Sequence, residues 1–189
     1  MADQINTHAA GSGTKGSRAL VPPRLWRFAV WGALGAALLV FDQVVKEAVR
    51  EAALAGVFPI TVIPGLIDFT FVMNRGAAFG IGQGFGLVSV GIAVAVVGVS
   101  IWYLLRAEKV SKLEVVGLGL VLGGAVGNAV DRVLHGYVTD FIATTFIDFP
   151  VFNIADIGIV LGVALAFIGF AFFSPAADDD GDSGREDQG

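Results

Sequence analysis

Val115-Val-Gly-Leu-Gly-Leu-Val-Leu-Gly-Gly-Ala-Val-Gly-Asn-Ala-Val-Asp-Arg132 decides the fold. From Val115 to Val130 only Asn128 is polar, and the run begins one residue after Glu114. Three more apolar runs accompany it: Phe28–Val45, broken only by Asp42 and Gln43; Phe85–Leu105, inside a stretch without charge from Gly76 to Leu105; and Ile157–Phe173. At a rise of about 1.5 Å per residue, helices of roughly 20 residues cover a hydrocarbon core of about 30 Å. The pattern predicts an all-α integral membrane protein with four transmembrane helices, near 28–46, 85–106, 113–132 and 152–173. Gly119, Gly123 and Gly127 recur every four residues, a stripe that lets helices approach closely. Whether it serves packing within one bundle or between chains is open from sequence; a monomer is expected.

Composition agrees. Of 189 residues, 55% are hydrophobic and 15% charged, against about a quarter charged in soluble domains. The net charge of −5 comes from one end: Ser174–Gly189 holds six acids and one base, and the remainder carries eleven of each. No basic surface is left for nucleic acid. The absence of cysteine excludes a disulfide scaffold, a thiolate metal site and a thiol nucleophile. Two histidines, His8 and His135, and no His-Glu-x-x-His motif leave no ligands for a metallohydrolase.

Lys and Arg set the orientation. Lys15, Arg18, Arg24 and Arg27 precede the first span, Arg106, Lys109 and Lys112 join the second and third, and Arg185 lies in the tail. The opposite side holds Lys46, Arg50, Arg75 and Arg132. Both termini are therefore expected in the cytoplasm. The first run follows a polar segment and has no small-residue cleavage site after it, so it reads as a retained span. The polar segments 1–24 and 174–189 are expected to be disordered, flanking a membrane domain at 25–173. Between spans one and two, Val57–Pro64 and Leu66–Met73 are β-branched and aromatic runs bounded by Pro, Gly and Asn. They predict a small extracytoplasmic β-hairpin or cradle lobe within 54–80, either a lid over a site or an inert interfacial element.

Ionisable groups at membrane depth are costly and ask for a role. Asp42 and Lys46 share a helix face at i,i+4, which an intrahelical ion pair explains. Asn128, Asp131 and Arg132 share a face at the outer end of span three. Asp140, just past that span, and Asp156, at the mouth of span four, are joined by a short apolar segment containing Pro150. Two carboxylates brought together at a partly desolvated boundary do not both ionise easily; one keeps a proton, which gives a base and an acid able to activate water against an amide. Read singly, Asp156 is a charge at a helix N-terminus and Asp140 a loop acid.

Five motifs occur in order: Asp42-Gln-Val-Val-Lys46, Asn74-Arg-Gly-Ala-Ala-Phe79, Gly123-Gly-Ala-Val-Gly-Asn-Ala-Val-Asp-Arg132, Val138-Thr-Asp-Phe141 and Phe152-Asn-Ile-Ala-Asp156. Together they resemble the lipoprotein signal peptidases, or signal peptidase II family, from about Trp26 to Phe173. The resemblance implies a four-helix aspartyl endopeptidase of the bacterial inner membrane with an outer β-cradle. It implies cleavage of diacylglyceryl-modified prolipoproteins just before the lipidated cysteine, no cofactor or metal, and inhibition by globomycin. By this resemblance Asp140 and Asp156 are the catalytic pair, and Asn74, Asn128, Arg132 and Asn153 line the site. Asp42, Lys46, Gly76 and Asp131 match further motif positions of a supporting kind. Ile157 departs from the small polar residue many relatives carry after the second aspartate. The alternative is a small polytopic transporter or proton pathway, which would spread polar groups through the bilayer's depth; here the middles of spans two and four carry no ionisable group.

Overall fold

The structure, a computed structural model, describes residues 21–76 and 86–173. The expectations for the two polar ends, for Phe79 of the second motif and for the start of span two at residue 85 lie outside the described residues.

Helix α1 (Arg24–Leu54) starts after Pro23, whose extended backbone forms the N-cap. It continues eight residues past the expected end of span one, because Glu47–Leu54 is rich in alanine and Arg50 pairs with Glu47 one turn back at 2.7 Å. The chain turns at Gly56 (φ 72°) into strands β1 (Ile60–Ile63) and β2 (Ile67–Asn74). Helices α2 (Gly86–Arg106) and α3 (Lys112–His135) follow. Helix α3 opens on a capping box between Ser111 and Glu114 and closes at Gly136, whose φ of 75° suits glycine. His135, beyond the expected end of span three at residue 132, is the last residue of α3.

The segment after α3 corrects the sequence reading. It is strand β3 (Val138–Thr144), not a loop, and Asp140 lies on it. It completes a three-stranded antiparallel sheet of order β1-β2-β3. The lobe between α1 and α2 is therefore two-thirds of a sheet whose last strand arrives from beyond α3. Its alternation is masked because Val138–Phe141 is buried on both faces. Helix α4 (Ile154–Ile168) is extended by one wider π-type turn, Gly169–Phe173.

All four helices are long and apolar enough to cross a membrane. The protein is a membrane protein, and its apolar surface faces outward: Phe41, Val44, Val160 and Phe167 are all more than half exposed. With lipid on the outside, much of the burial falls to small and polar residues, alongside an apolar cluster of Leu104, Val110 and Val115. Helix α3 sits between α1 and α4 and uses glycines on two sides. Added Cβ atoms would lie 2.6 Å from Gly35 O at Gly123 and 2.3 Å from Ala155 O at Gly124. The stripe Gly119, Gly123 and Gly127 faces α1, and a second one through Gly117 and Gly124 faces α4. At the end of the bundle away from the sheet, the buried Arg27 donates to the carbonyls of Pro22, Ala107 and Glu108, and Tyr103 donates its hydroxyl to Glu114.

Candidate active site

The sheet and the two caps next to it bring the motif residues together. On the free edge of β3, Phe152 pairs with Ile142: its N–H donates to Ile142 O at 3.1 Å and its carbonyl accepts from the N–H groups of Phe141 and Ile142. That pairing ends one residue before Asn153, the N-cap of α4, so the start of α4 lies beside Asp140. On the other edge of β3, Val72 faces Asp140 and Asn74 faces Val138. Asn74 is thus the diagonal same-face neighbour of Asp140, within reach of its side chain.

Three asparagine amides hold the two carboxylates. Asn74 Nδ2 donates to Asp140 Oδ2 at 2.9 Å, Asn153 Nδ2 to Asp140 Oδ1 at 2.7 Å, and Asn128 Nδ2 to Asp156 Oδ1 at 2.8 Å. In each case the amide oxygen already has a donor. Gly76 N–H donates to Asn74 Oδ1, Asp156 N–H to Asn153 Oδ1, and Lys46 Nζ and Asn153 Nδ2 to Asn128 Oδ1. With the oxygen occupied, each NH2 is obliged to face its carboxylate, so the orientation is fixed by hydrogen-bond valence. Asp156 also accepts the Asn153 N–H at 3.1 Å, the second half of a capping box.

Burial, with Asp140 at 2% exposure, pushes its carboxyl up from an ordinary 3.8 to about 6. The donors on Asn74 and Asn153 and the Lys46 charge pull it back, and the Asp156 charge adds to the rise. Arg132 donates to Asn128 O at 3.1 Å and is within electrostatic reach of Asp140, Asp156 and Asp131.

Behind the asparagines lies a second, fully buried cluster. Lys46 Nζ is 2.9 Å from Asp42 Oδ2 and 3.3 Å from Asp131 Oδ2. The pair expected within α1 is present, but it is also tied to α3 and α4. Asp42 Oδ1 accepts Ala155 N–H at 3.0 Å, so a residue of α1 caps the first turn of α4. Asp131 Oδ2 accepts Thr139 N–H at 2.9 Å, which fastens β3 one residue before Asp140.

The family model for signal peptidase (SPase) II matches residues 34–172, which contain every one of these side chains. The chain belongs to the signal peptidase II family. It is 40% identical over 149 residues to the lipoprotein signal peptidase of Maridesulfovibrio salexigens, covering 74% of this chain and 93% of that one. It is also 40% identical over 152 residues to the lipoprotein signal peptidase of Geobacillus thermodenitrificans, covering 79% and 94%. A solved bacterial membrane enzyme, determined by the in meso method at 2.3 Å, matches with a TM-score of 0.66 at 29% identity, covering 85% of this chain and 94% of that one. A second, at 1.9 Å, gives 0.65 at 31%, covering 77% and 94%. This signal peptidase II family member is a membrane peptidase.

Within it, Asp140, Asp156, Asn74, Asn128 and Asn153 form one hydrogen-bonded network, with Arg132 beside it and Asp42, Lys46 and Asp131 behind it. Three participants escaped the sequence reading. Gln43 Nε2 donates to Asp42, Asp131 and Gly127 O; Arg50 Nη1 donates to Thr139 Oγ1 at 2.9 Å and lies 3.5 Å from Asp131; and Thr139 joins both. A signal for Arg50 existed, since Asp42, Lys46 and Arg50 repeat at four-residue spacing on one face of α1.

Proposed function

We propose that this chain is an aspartic endopeptidase that removes the signal peptide of diacylglyceryl-modified prolipoproteins, with Asp140 and Asp156 as its catalytic pair. The observation that carries the proposal is the set of three asparagine amides whose NH2 groups converge on these two carboxylates from β2, α3 and the α4 cap. With eight of the twelve Lys and Arg on the side of both termini, the pair belongs at the outer face. There a substrate anchored by its diacylglyceryl group in the outer leaflet presents its scissile bond.

Asp140 is the member of the pair assigned the proton, which it holds below about pH 6, because burial and the neighbouring Asp156 disfavour its charged form. Asp156 then takes a proton from the attacking water while Asp140 donates to the carbonyl oxygen, and the roles reverse as the amine leaves. The Arg132 guanidinium stabilises the developing oxyanion. The reading also carries sensitivity to globomycin and a monomeric enzyme.

The test is a gel-shift assay with a diacylglyceryl-modified prolipoprotein and enzyme purified in detergent. Cleavage should survive a metal chelator, stop with globomycin and vanish in Asp140→Asn and Asp156→Asn. No cleavage by folded wild type would return the transporter reading, to be checked by proton flux in liposomes.

A further inference from the structure

We infer that Lys46 is a positioning residue for the reaction: its third N–H fixes the side-chain amide of Asn128, which in turn holds Asp156. The inference rests on the peptidase reading above and deepens it.

An ammonium has three N–H groups and no acceptor. Lys46 is fully buried and has three oxygens around it: Asp42 Oδ2 at 2.9 Å, Asp131 Oδ2 at 3.3 Å and Asn128 Oδ1 at 2.9 Å. Two carboxylates, themselves held from α4 and β3, fix the position of Nζ; among the described residues the remaining N–H has one acceptor, Asn128 Oδ1. A flipped Asn128 amide would set its NH2 against the ammonium and against Asn153 Nδ2, and its oxygen against the Asp156 carboxylate. Every one of those contacts would be repulsive. Charge-assisted bonds are stronger than neutral ones, so Lys46 is the stronger of the two locks on the amide. The Asn153 NH2 is the weaker one, because it is shared with Asp140. A buried ion pair that served stability alone would not need its third bond aimed at a residue holding a reacting carboxylate.

Removing Lys46 alone would strand two buried carboxylates and endanger the fold. The variant of choice is therefore Lys46→Met combined with Asp42→Asn, which removes one charge of each sign and leaves an oxygen to cap Ala155 N–H. Against Asp42→Asn alone, the pair should lower kcat roughly 10- to 100-fold with KM within about twofold, per folded enzyme counted by thermal unfolding in detergent. In an Asn128→Ala background the same pair should cost no further kcat.

Equal kcat in the two Asp42 variants, or losses that add fully to that of Asn128→Ala, would overturn the inference. If the pair does not fold, Lys46→Arg decides. A guanidinium keeps the charge and both carboxylate contacts but does not direct a single N–H onto Asn128 Oδ1. Folded Lys46→Arg should then lose kcat tenfold or more, and wild-type kcat in it would sink the idea. Absence of cleavage by wild type would instead overturn the peptidase reading itself, so the two failures are distinct.

Discussion

The side-chain amide of Asn153 donates to Asp140 Oδ1 at 2.7 Å while its carbonyl oxygen accepts from the backbone N–H of Asp156 at 3.0 Å. One side chain thus caps helix α4 and sets the spacing of the two carboxylates. Two substitutions separate these duties. Asn153→Ala should cost about 1–2 kcal/mol of stability through the lost cap together with activity. Asn153→Ser keeps the cap and should stay within about 0.5 kcal/mol of wild type, yet lose kcat because Asp140 loses a donor. Thermal unfolding and cleavage rates on the same preparations check this; a fully active Asn153→Ser would show that the cap alone matters.

Asp140→Asn and Asp156→Asn should each lower kcat by roughly 10³-fold or more and remain folded. Their stabilities should differ. Asp156 accepts an N–H from Asn153 at the α4 N-terminus, so its neutralisation also removes a favourable helix charge, worth about 0.3–1 kcal/mol.

Asp140 gives the protein a pH signature. Its folded pKa, about 6, lies above the ordinary 3.8, so between these values the folded chain binds more protons than the unfolded one. Its contribution to stability is complete below about pH 4 and is lost as pH rises through about 6. The loss is on the order of 3 kcal/mol. Asp140→Asn does not titrate. Its unfolding free energy relative to wild type should therefore rise from pH 4 to pH 8, and a flat difference would contradict the assignment. In wild type, kcat/KM should fall as pH rises above about 6, where Asp140 gives up the proton it is proposed to donate.

The glycines of α3 should be intolerant by position rather than by composition. A Cβ at Gly124 meets Ala155 O at 2.3 Å and one at Gly127 meets Asp42 Oδ2 at 2.7 Å, whereas at Gly91 on α2 no atom of the described residues lies within 4 Å. Gly124→Ala and Gly127→Ala should each destabilise by about 1–3 kcal/mol. Gly91→Ala should be neutral or stabilising by up to about 1 kcal/mol. Gly127→Ala should also reduce turnover, since its Cβ pushes on the carboxylate that holds Lys46. Thermal unfolding and cleavage assays on all three variants check the ranking.

The four spans were legible because hydrophobic run length and Lys/Arg placement are local properties, and the bilayer as solvent leaves few alternatives to a helix. The helix ends were less so. Span one stops at Val45 by hydropathy, but the alanine-rich continuation carries α1 to Leu54, and this extension places Arg50 against Asp131 and Thr139. Strand β3 read as a loop because its pairing partner, β2, lies more than sixty residues earlier, and buried strands lose the alternation that marks a half-exposed one.

By itself, then, the sequence determined a four-span membrane protein with a β-rich lobe, and its motifs named the aspartates and asparagines of the candidate site. Only the tertiary structure decided how those residues meet. The direction of each asparagine amide depends on donors from other segments: Lys46 from α1 for Asn128, Gly76 after β2 for Asn74, and the first turn of α4 for Asn153. An amide has two nearly isosteric orientations, and no local pattern distinguishes them. The choice is made by which hydrogen-bond donors the packed helices and sheet bring against the oxygen.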